Sequence, residues 1–340
     1  MRKSLKSKVI IIIVFIALVI LTILGVFTFK YTQNKDKPFN TTSKVFDIKV
    51  NNGEYLYAVL GELENKGIIN NTFLTKIYLK LNSSQSDIRP GTYEVPSNIS
   101  LEDFINMLDE GKVATYKVTF PEGFTIEKMA ERLQSEGIMK SDVFLTAVKN
   151  YPLPSYIKAN PERRYNLEGF LYPDTYDIPK NATANDIISM MLNQFQKVML
   201  EAQKETGVKI SENDYQKYVT IASMIEGEAQ NPKERELVSS VIENRTAKNM
   251  KLQLDATVLY ALGKHQDKVY FKNLKIESPY NTYYVEGLPI GAINNPGIEC
   301  LEAALKPAKT DYLYYILNGK EHFFTSSWTE FQKVYKKVNG

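Results

Sequence analysis

Two glutamates close the most informative stretch of the chain, SENDYQKYVTIASMIEGEAQNPKERELVSSVIENRT at residues 211–246. Tyr218, Ile221, Ala222, Ile225 and Ala229 recur at helical spacing, so a helix with a buried face is expected, opened by Ser211 as its cap. Glu226 and Glu228 fall at its C-terminal end. At about 100° per residue they point about 200° apart, so they cannot work as a pair across one bond from one face. At most one of them is a catalytic acid. A carboxyl leaving a buried helix end beside apolar side chains is raised toward neutrality, and the negative end of the helix pushes the same way. That is the state a general acid needs at working pH. The plain alternative is that both glutamates, near Lys233 and Arg235, are simply solvated.

Other chemistries lack their residues. Cys300 is the only cysteine, so no intramolecular disulfide forms and the fold must be held by its core. His265 and His322 are the only histidines, and neither belongs to a His-x-x-x-His or His-Glu pair, so no metal site is expected. There is no Gly-x-Ser-x-Gly elbow and no Walker phosphate loop. No cofactor is implied, and carboxylates remain as the carriers of chemistry.

The elements that must position them read as mixed α+β. Residues 184–206 carry Ile187, Ile188, Met191, Leu192, Phe195, Val198 and Met199 on one stripe, a helix ended by Gly207. Upstream, the prolines of YPLPSYIKANPERRYN mark a boundary, so that 151–340 is expected to be one domain. Before it, residues 45–150 contain an internal repeat: 50–69 aligns with 120–139 at a constant offset of 70, pairing Gly53 with Gly123, Leu63 with Leu133 and Gly67 with Gly137. Each copy reads as strand, glycine turn and helix, followed by a second helical pattern over 71–81 and 141–149. Between them, SLEDFINMLDEG reads as a helix opened by Ser100 and closed by Gly111. Two copies are too few for a solenoid, so a pair of small packed units is expected.

Val9 to Phe29 is uncharged and apolar over 21 residues, long enough to cross a bilayer as a helix. It is longer than the apolar core of a cleaved signal peptide and lacks a small-x-small site. Arg2, Lys3, Lys6 and Lys8 precede it without an acidic residue, so residues 1–8 are expected in the cytoplasm and everything beyond Phe29 outside it, in a single-pass membrane protein. Residues 30–44 are polar and aperiodic and read as an exposed linker. Setting aside the five basic side chains of residues 1–30 leaves 37 basic against 39 acidic ones. That near-neutral exterior lacks the basic footprint of a nucleic-acid binder.

ASMIEGEA at 222–229, LEGFLYPDTY at 167–176, LQLDATVLYALG at 252–263, YNTYYVEGLPIGAINNPG and AALKPAKTDYLYYI, in that setting, resemble the endolytic murein transglycosylases, the YceG-like or MltG family. The resemblance covers the apolar span and residues 45–340. It implies a lyase acting on peptidoglycan glycan strands, cutting the β-1,4 bond between N-acetylmuramic acid and N-acetylglucosamine with formation of a 1,6-anhydro end by one glutamate. It further implies a LysM-like module over 45–150 and work beside the peptidoglycan synthases, ending nascent strands. In the family the motif is Glu-Lys-Glu and then a hydroxyl residue, with the second Glu as catalyst. The carried-over residue is Glu228, with Gly227 and Ala229 as departures.

Supporting residues follow from the same segments. Gln253 and Asp255 precede ATVLYALG, where Asp255 is either a substrate contact or the helix cap. Tyr280, Asn281 and Tyr283 sit in the loop SPYNTYY, whose aromatic and amide groups suit sugar rings and N-acetyl groups, with a core position as the alternative for Tyr283. Glu168 is placed in the cleft wall, Glu226 as electrostatic support, and Asp174 as a turn former bonding its own backbone. Two other functions compete. A non-enzymatic wall-binding protein would form no anhydro ends. A pyridoxal-phosphate lyase, a label this family has carried, needs a Schiff-base lysine and a phosphate site that the sequence does not offer.

Overall fold

The computed structural model describes residues 2–82, 88–263 and 269–339. His265 and the side chains of Arg2, Lys3 and Lys6 lie outside that set. Helix α1 (Arg2–Asp36) contains the apolar stretch, with every side chain from Val9 to Phe29 exposed. Among the described residues it is the one helix long and apolar enough to cross a membrane.

The region read as a linker is structured. The helix runs on to Asp36, Asn34 is buried with its Nδ2 donating to Thr75 Oγ1 at 3.0 Å, and Phe39 enters the hydrophobic core. Tyr31, Asn34, Lys35 and Phe39 hold this stretch through contacts to different partners, a spacing that leaves no periodic pattern.

Contacts divide the chain into two compact units, residues 1–116 with 179–181 and residues 117–178 with 182–340. In the first unit β1 (Val45–Val50) pairs antiparallel with β2 (Gly91–Pro96), Val45 opposite Pro96 and Val50 opposite Gly91. Helices α2 (Leu56–Asn65), α3 (Thr72–Leu81) and α4 (Leu101–Glu110) bury Leu60, Leu63, Leu79, Phe104 and Leu108 against Tyr93 and Val95 of β2. The expected caps of α4 are present. Ser100 accepts from the Asp103 N–H, and Gly111 takes the left-handed conformation at φ 71°.

In the second unit α5 (Ile126–Ser135) and α6 (Ser141–Asn150) join α7 (Ala184–Thr206), α8 (Tyr215–Glu228), α9 (Arg235–Ala247), α10 (Asp255–Leu262) and α11 (Ile298–Leu305). Strands β3 (Thr115–Thr119) and β4 (Thr175–Pro179) pair with each other. The chain closes with the antiparallel hairpin β5 (Tyr314–Asn318) and β6 (Glu321–Thr325), followed by α12 (Trp328–Asn339). Small sheets and many helices make the α+β class plain.

This division differs from the boundary read from the prolines near residue 151. Met129, Ala130 and Leu133 of α5 are fully buried, each large side chain contributing about 1.5–3 kcal/mol. The Ile126 N–H donates to Glu168 at 3.1 Å and the Asn295 amide lies on Met129, so residues 120–139 pack into the unit that holds the glutamates. Around α7 a cluster of Tyr156, Phe170, Phe195 and Tyr215 has ring centroids 5.0–6.1 Å apart and fixes where α8 begins.

Candidate active site

Helix α8 is more deeply set than its apolar spacing implies. Val219, Thr220, Ala222, Ser223, Met224 and Ile225 are all buried, while Tyr218 and Ile221 are only half-buried. Ser211 caps the 3-10 turn Glu212–Asp214 and not α8 itself, which opens at Tyr215. The C-terminal end of α8 abuts α10 so closely that a Cβ on Gly227 would lie 2.8 Å from the Ala256 Cβ. Gly227, having no side chain, therefore permits a helix contact that a larger residue would push apart.

That contact sends the two glutamates to different places. Glu226 Oε2 accepts from the Gly297 N–H at 3.0 Å, at the N-terminus of α11. Glu228 points into a cleft of about 380 Å³ walled by Gln253, Asp255, Tyr283, Tyr315, His322 and Trp328, among others. Its Oε1 accepts from the Ala256 N–H at 3.2 Å and its Oε2 from the Tyr315 hydroxyl at 3.1 Å. Glu228 is half-buried as a residue, but its carboxyl is shut away from bulk water. That desolvation pushes its pKa up to about 7, against the opposing pull of the Ala256 N–H and the Tyr315 hydroxyl.

The walls are braced by polar contacts. Tyr283 donates its hydroxyl to Asp255 Oδ1 at 2.7 Å. Arg245 ties two walls together, donating from Nε to the Leu313 carbonyl at 2.6 Å and from Nη1 to the Leu252 carbonyl at 2.7 Å, with its guanidinium 5.4 Å from the Tyr314 ring. Glu234 receives the His322 backbone N–H and faces its Nδ1, both at 2.8 Å, which fastens β6 to the turn before α9. Burial alone would raise the Glu234 carboxyl, but these His322 contacts hold it below the usual range. Gln253 adopts φ 54°, a left-handed conformation that costs a non-glycine residue about 1–3 kcal/mol. Its N–H is held by the Thr282 carbonyl at 3.2 Å.

Of the residues singled out in the sequence, Glu228, Gln253, Asp255 and Tyr283 meet in this cleft. Asp255 is not a cap, because it is the first residue of α10 and the cap position is Leu254. Five others do not line it. Glu226 braces α11. Tyr280 is buried, its hydroxyl accepting from the Arg164 N–H at 3.1 Å and its ring edge-on to Tyr260 at 4.8 Å. Asn281 is buried and donates to the carbonyls of Leu274 and Ile276 at 3.0 and 2.8 Å, shaping its own loop. Glu168 is 2% exposed and belongs to a buried network, accepting from the Ile126 N–H, the Tyr260 hydroxyl and the Asn295 amide at 3.1, 2.9 and 2.9 Å. Burial pushes its pKa up to about 8. Asp174 is exposed and accepts from its neighbour's N–H at 2.7 Å, as a turn former does.

Sequence reasoning missed Arg245, Tyr314, Tyr315, His322 and Trp328, which reach the cleft from α9 and the C-terminal hairpin and helix. The tyrosine cluster YLYYI was visible, but nothing in its spacing tied it to a helix end about 87 residues earlier. Among the described residues no group of three or more potential metal ligands is found.

Residues 48–337 match the YceG-like family. The chain is 32% identical over 325 residues to an endolytic murein transglycosylase of Bacillus subtilis, covering 91% of this chain and 89% of the relative. It is 27% identical to an endolytic murein transglycosylase of Streptococcus pneumoniae, covering 98% of this chain and 66% of that longer protein. A crystal structure of a yceG-like protein from Listeria monocytogenes superposes with a TM-score of 0.57 at 31% identity, over 85% of this chain and 98% of the other. The match spans both compact units and includes the helix that carries Glu228, so the chain belongs to the YceG-like family.

Proposed function

We propose that this protein is an endolytic lytic transglycosylase that cuts the β-1,4 bond between N-acetylmuramic acid and N-acetylglucosamine in peptidoglycan strands and leaves a 1,6-anhydro end. The observation that carries the reading is the carboxyl of Glu228, raised to about 7 by burial in an aromatic-walled cleft and held by two donors. A carboxyl so placed is half protonated near neutrality and serves as acid and then as base. Protonated Glu228 gives its proton to the glycosidic oxygen as the bond to C1 breaks. The carboxylate so formed takes the proton of the muramic-acid 6-hydroxyl as that oxygen bonds to C1. The Ala256 N–H and Tyr315 hydroxyl stabilise the negative charge between the two transfers. No water is consumed, and the tethered 6-hydroxyl outcompetes solvent through its large effective concentration.

A second reading rests on Asp255, which shares the cleft with Glu228. Ordinary glycosidases use two carboxylates and water. Asp255, and neither Glu168 nor Asp174, is the second carboxylate such a hydrolase would employ. Products separate the two readings: anhydro ends for the transglycosylase, reducing ends for the hydrolase.

The experiment pairs two substitutions on purified peptidoglycan. Glu228→Gln keeps the shape but releases no proton, so cleavage falls by about 10²–10⁴ while glycan binding survives. Glu226→Gln still accepts from Gly297 and keeps most activity. Loss only in Glu226→Gln moves the catalyst two residues, full activity in both ends the single-glutamate mechanism, and no anhydro ends from the unsubstituted protein support a wall-binding protein in place of an enzyme.

The anchor and the first unit complete the proposal. α1 supports a single membrane span with a cytoplasmic N-terminus and the catalytic unit outside. The order strand, helix, helix in β1–α2–α3 recurs in β3–α5–α6, which supports the reading of an internal repeat; a LysM-like role for residues 45–150, as glycan tether or as scaffold, comes from the family resemblance. Action beside peptidoglycan synthases to end nascent strands fits a catalytic unit tethered near the membrane.

A further inference from the structure

Helix α1 continues past its apolar stretch, and α3 packs along the continuation. Two contacts set the direction of that packing: Asn34 donates to Thr75 at 3.0 Å, and the rings of Tyr31 and Tyr78 lie 6.5 Å apart. As residue numbers fall along α1 they rise along α3, so the helices run antiparallel. The C-terminal end of α3 therefore points back toward Phe29, where the apolar stretch ends. At about 1.5 Å per residue, Leu81 lies about 4.5 Å beyond Tyr78, level with Thr28.

The side chains at that level are those a bilayer interface takes. Leu81 is 70% exposed, and Ile77, one turn before it, is half-buried. Lys76 and Lys80, also one turn apart, are exposed. Tyr31, two residues past Phe29, is half-buried against Tyr78, at the end of an apolar stretch where membrane proteins carry aromatic belts. Farther up the same helix Phe73 is 69% exposed, about 12 Å from Leu81 and away from the membrane by the same rise. Further ties keep α1 from swinging free of this unit, since Lys35 pairs with Glu102 at 3.8 Å and Phe39 packs on Phe104 at 5.1 Å.

We propose that the C-terminal half of α3 rests in the membrane interface, with Ile77 and Leu81 among the upper acyl chains and Lys76 and Lys80 on anionic lipid headgroups. The first unit is then seated on the bilayer surface and not hung from it by a flexible tether. This inference rests on the reading of Val9–Phe29 as a membrane span.

The test uses the full chain in vesicles of phosphatidylcholine and phosphatidylglycerol, with an environment-sensitive fluorophore on a single introduced cysteine. Cys300 is buried, so the unsubstituted chain serves as the labelling blank. Labels go at Leu81→Cys, Phe73→Cys and Val26→Cys, and quenchers are carried at shallow or deep positions of the acyl chains. The expected result is deep quenching at position 26, a blue shift with shallow quenching at 81, and aqueous emission at 73. Quenching at 26 with aqueous emission at 81 overturns the seating and leaves the span intact. Aqueous emission at 26 refutes the span and the seating together. Equal quenching at 73 and 81 overturns the depth assignment. Lys76→Glu with Lys80→Glu is expected to shift the label at 81 toward water, and no shift overturns the headgroup contact.

Discussion

Tyr315→Phe removes one O–H from Glu228 and leaves the ring that lies edge-on to His322 at 5.1 Å. The hydroxyl donates to the carboxylate and stabilises the ionised form, so its loss raises the pKa of Glu228 above about 7. A hydrogen bond to a charged group is worth about 1.5–3 kcal/mol, and about 1.36 kcal/mol corresponds to one pKa unit, which sets the rise at about one to two units. The Ala256 N–H still donates to the carboxylate in the variant, so the lower end, about one unit, is expected. Glu228 must be protonated to act first as an acid, so activity is lost as pH rises through this pKa. The alkaline limb of kcat/KM, which reports the free enzyme, then moves from near pH 7 to about pH 8 in the variant. The assay counts anhydro ends by mass spectrometry across a pH series on isolated glycan strands, with thermal melting as the control for folding. An alkaline limb that stays in place, or moves down, in a folded variant would refute the role given to Tyr315 and the acid role given to Glu228.

Gly227→Ala sets a methyl group 2.8 Å from the Ala256 Cβ, so α8 and α10 must part; overpacking of this kind costs about 1–3 kcal/mol. The Ala256 N–H moves with α10, so both the melting temperature and the cleavage rate are expected to fall, and an unchanged rate would show that this donor does not matter. Glu168 has a folded pKa of about 8, above the range of an unfolded carboxyl, so between the two the unfolded chain loses a proton that the folded chain keeps. Stability therefore declines with rising pH across that window, Glu228 adding to the slope up to about pH 7, and Glu168→Gln is expected to flatten it in denaturant titrations. Glu168→Ala leaves the Ile126 N–H and the Asn295 amide short of an acceptor and is expected to cost about 1–3 kcal/mol for each. In spheroplasts, external protease should digest residues 30–340, and protection of that portion would reverse the orientation assigned to α1.

What could be read without coordinates was whatever a local pattern encodes. The apolar run Val9–Phe29, the caps Ser100 and Gly111, the stripe of α7 and the divergence of Glu226 from Glu228 each follow from spacing within one element, because helix periodicity places neighbours on known faces. The same logic identified the helix end that bears Glu228 as the place where a carboxyl would be driven toward neutrality. Local pattern failed where long-range contact decides. Residues 30–39 looked like a linker because Tyr31, Asn34, Lys35 and Phe39 each act singly, against groups from α3 and α4. Glu168 looked like a cleft residue and proved to be the acceptor that joins α5, Tyr260 and Asn295.

The sequence by itself determined the anchor candidate, the α+β class and, through the family resemblance, Glu228 as the proposed catalytic carboxyl. Only the tertiary structure decided which groups surround it. Tyr315 reaches Glu228 across 87 residues, Arg245 bridges two walls, and Gly227 lets α8 and α10 touch. A pKa near 7 is a property of that enclosure, since desolvation depends on what packs around a carboxyl in space and not on what adjoins it along the chain.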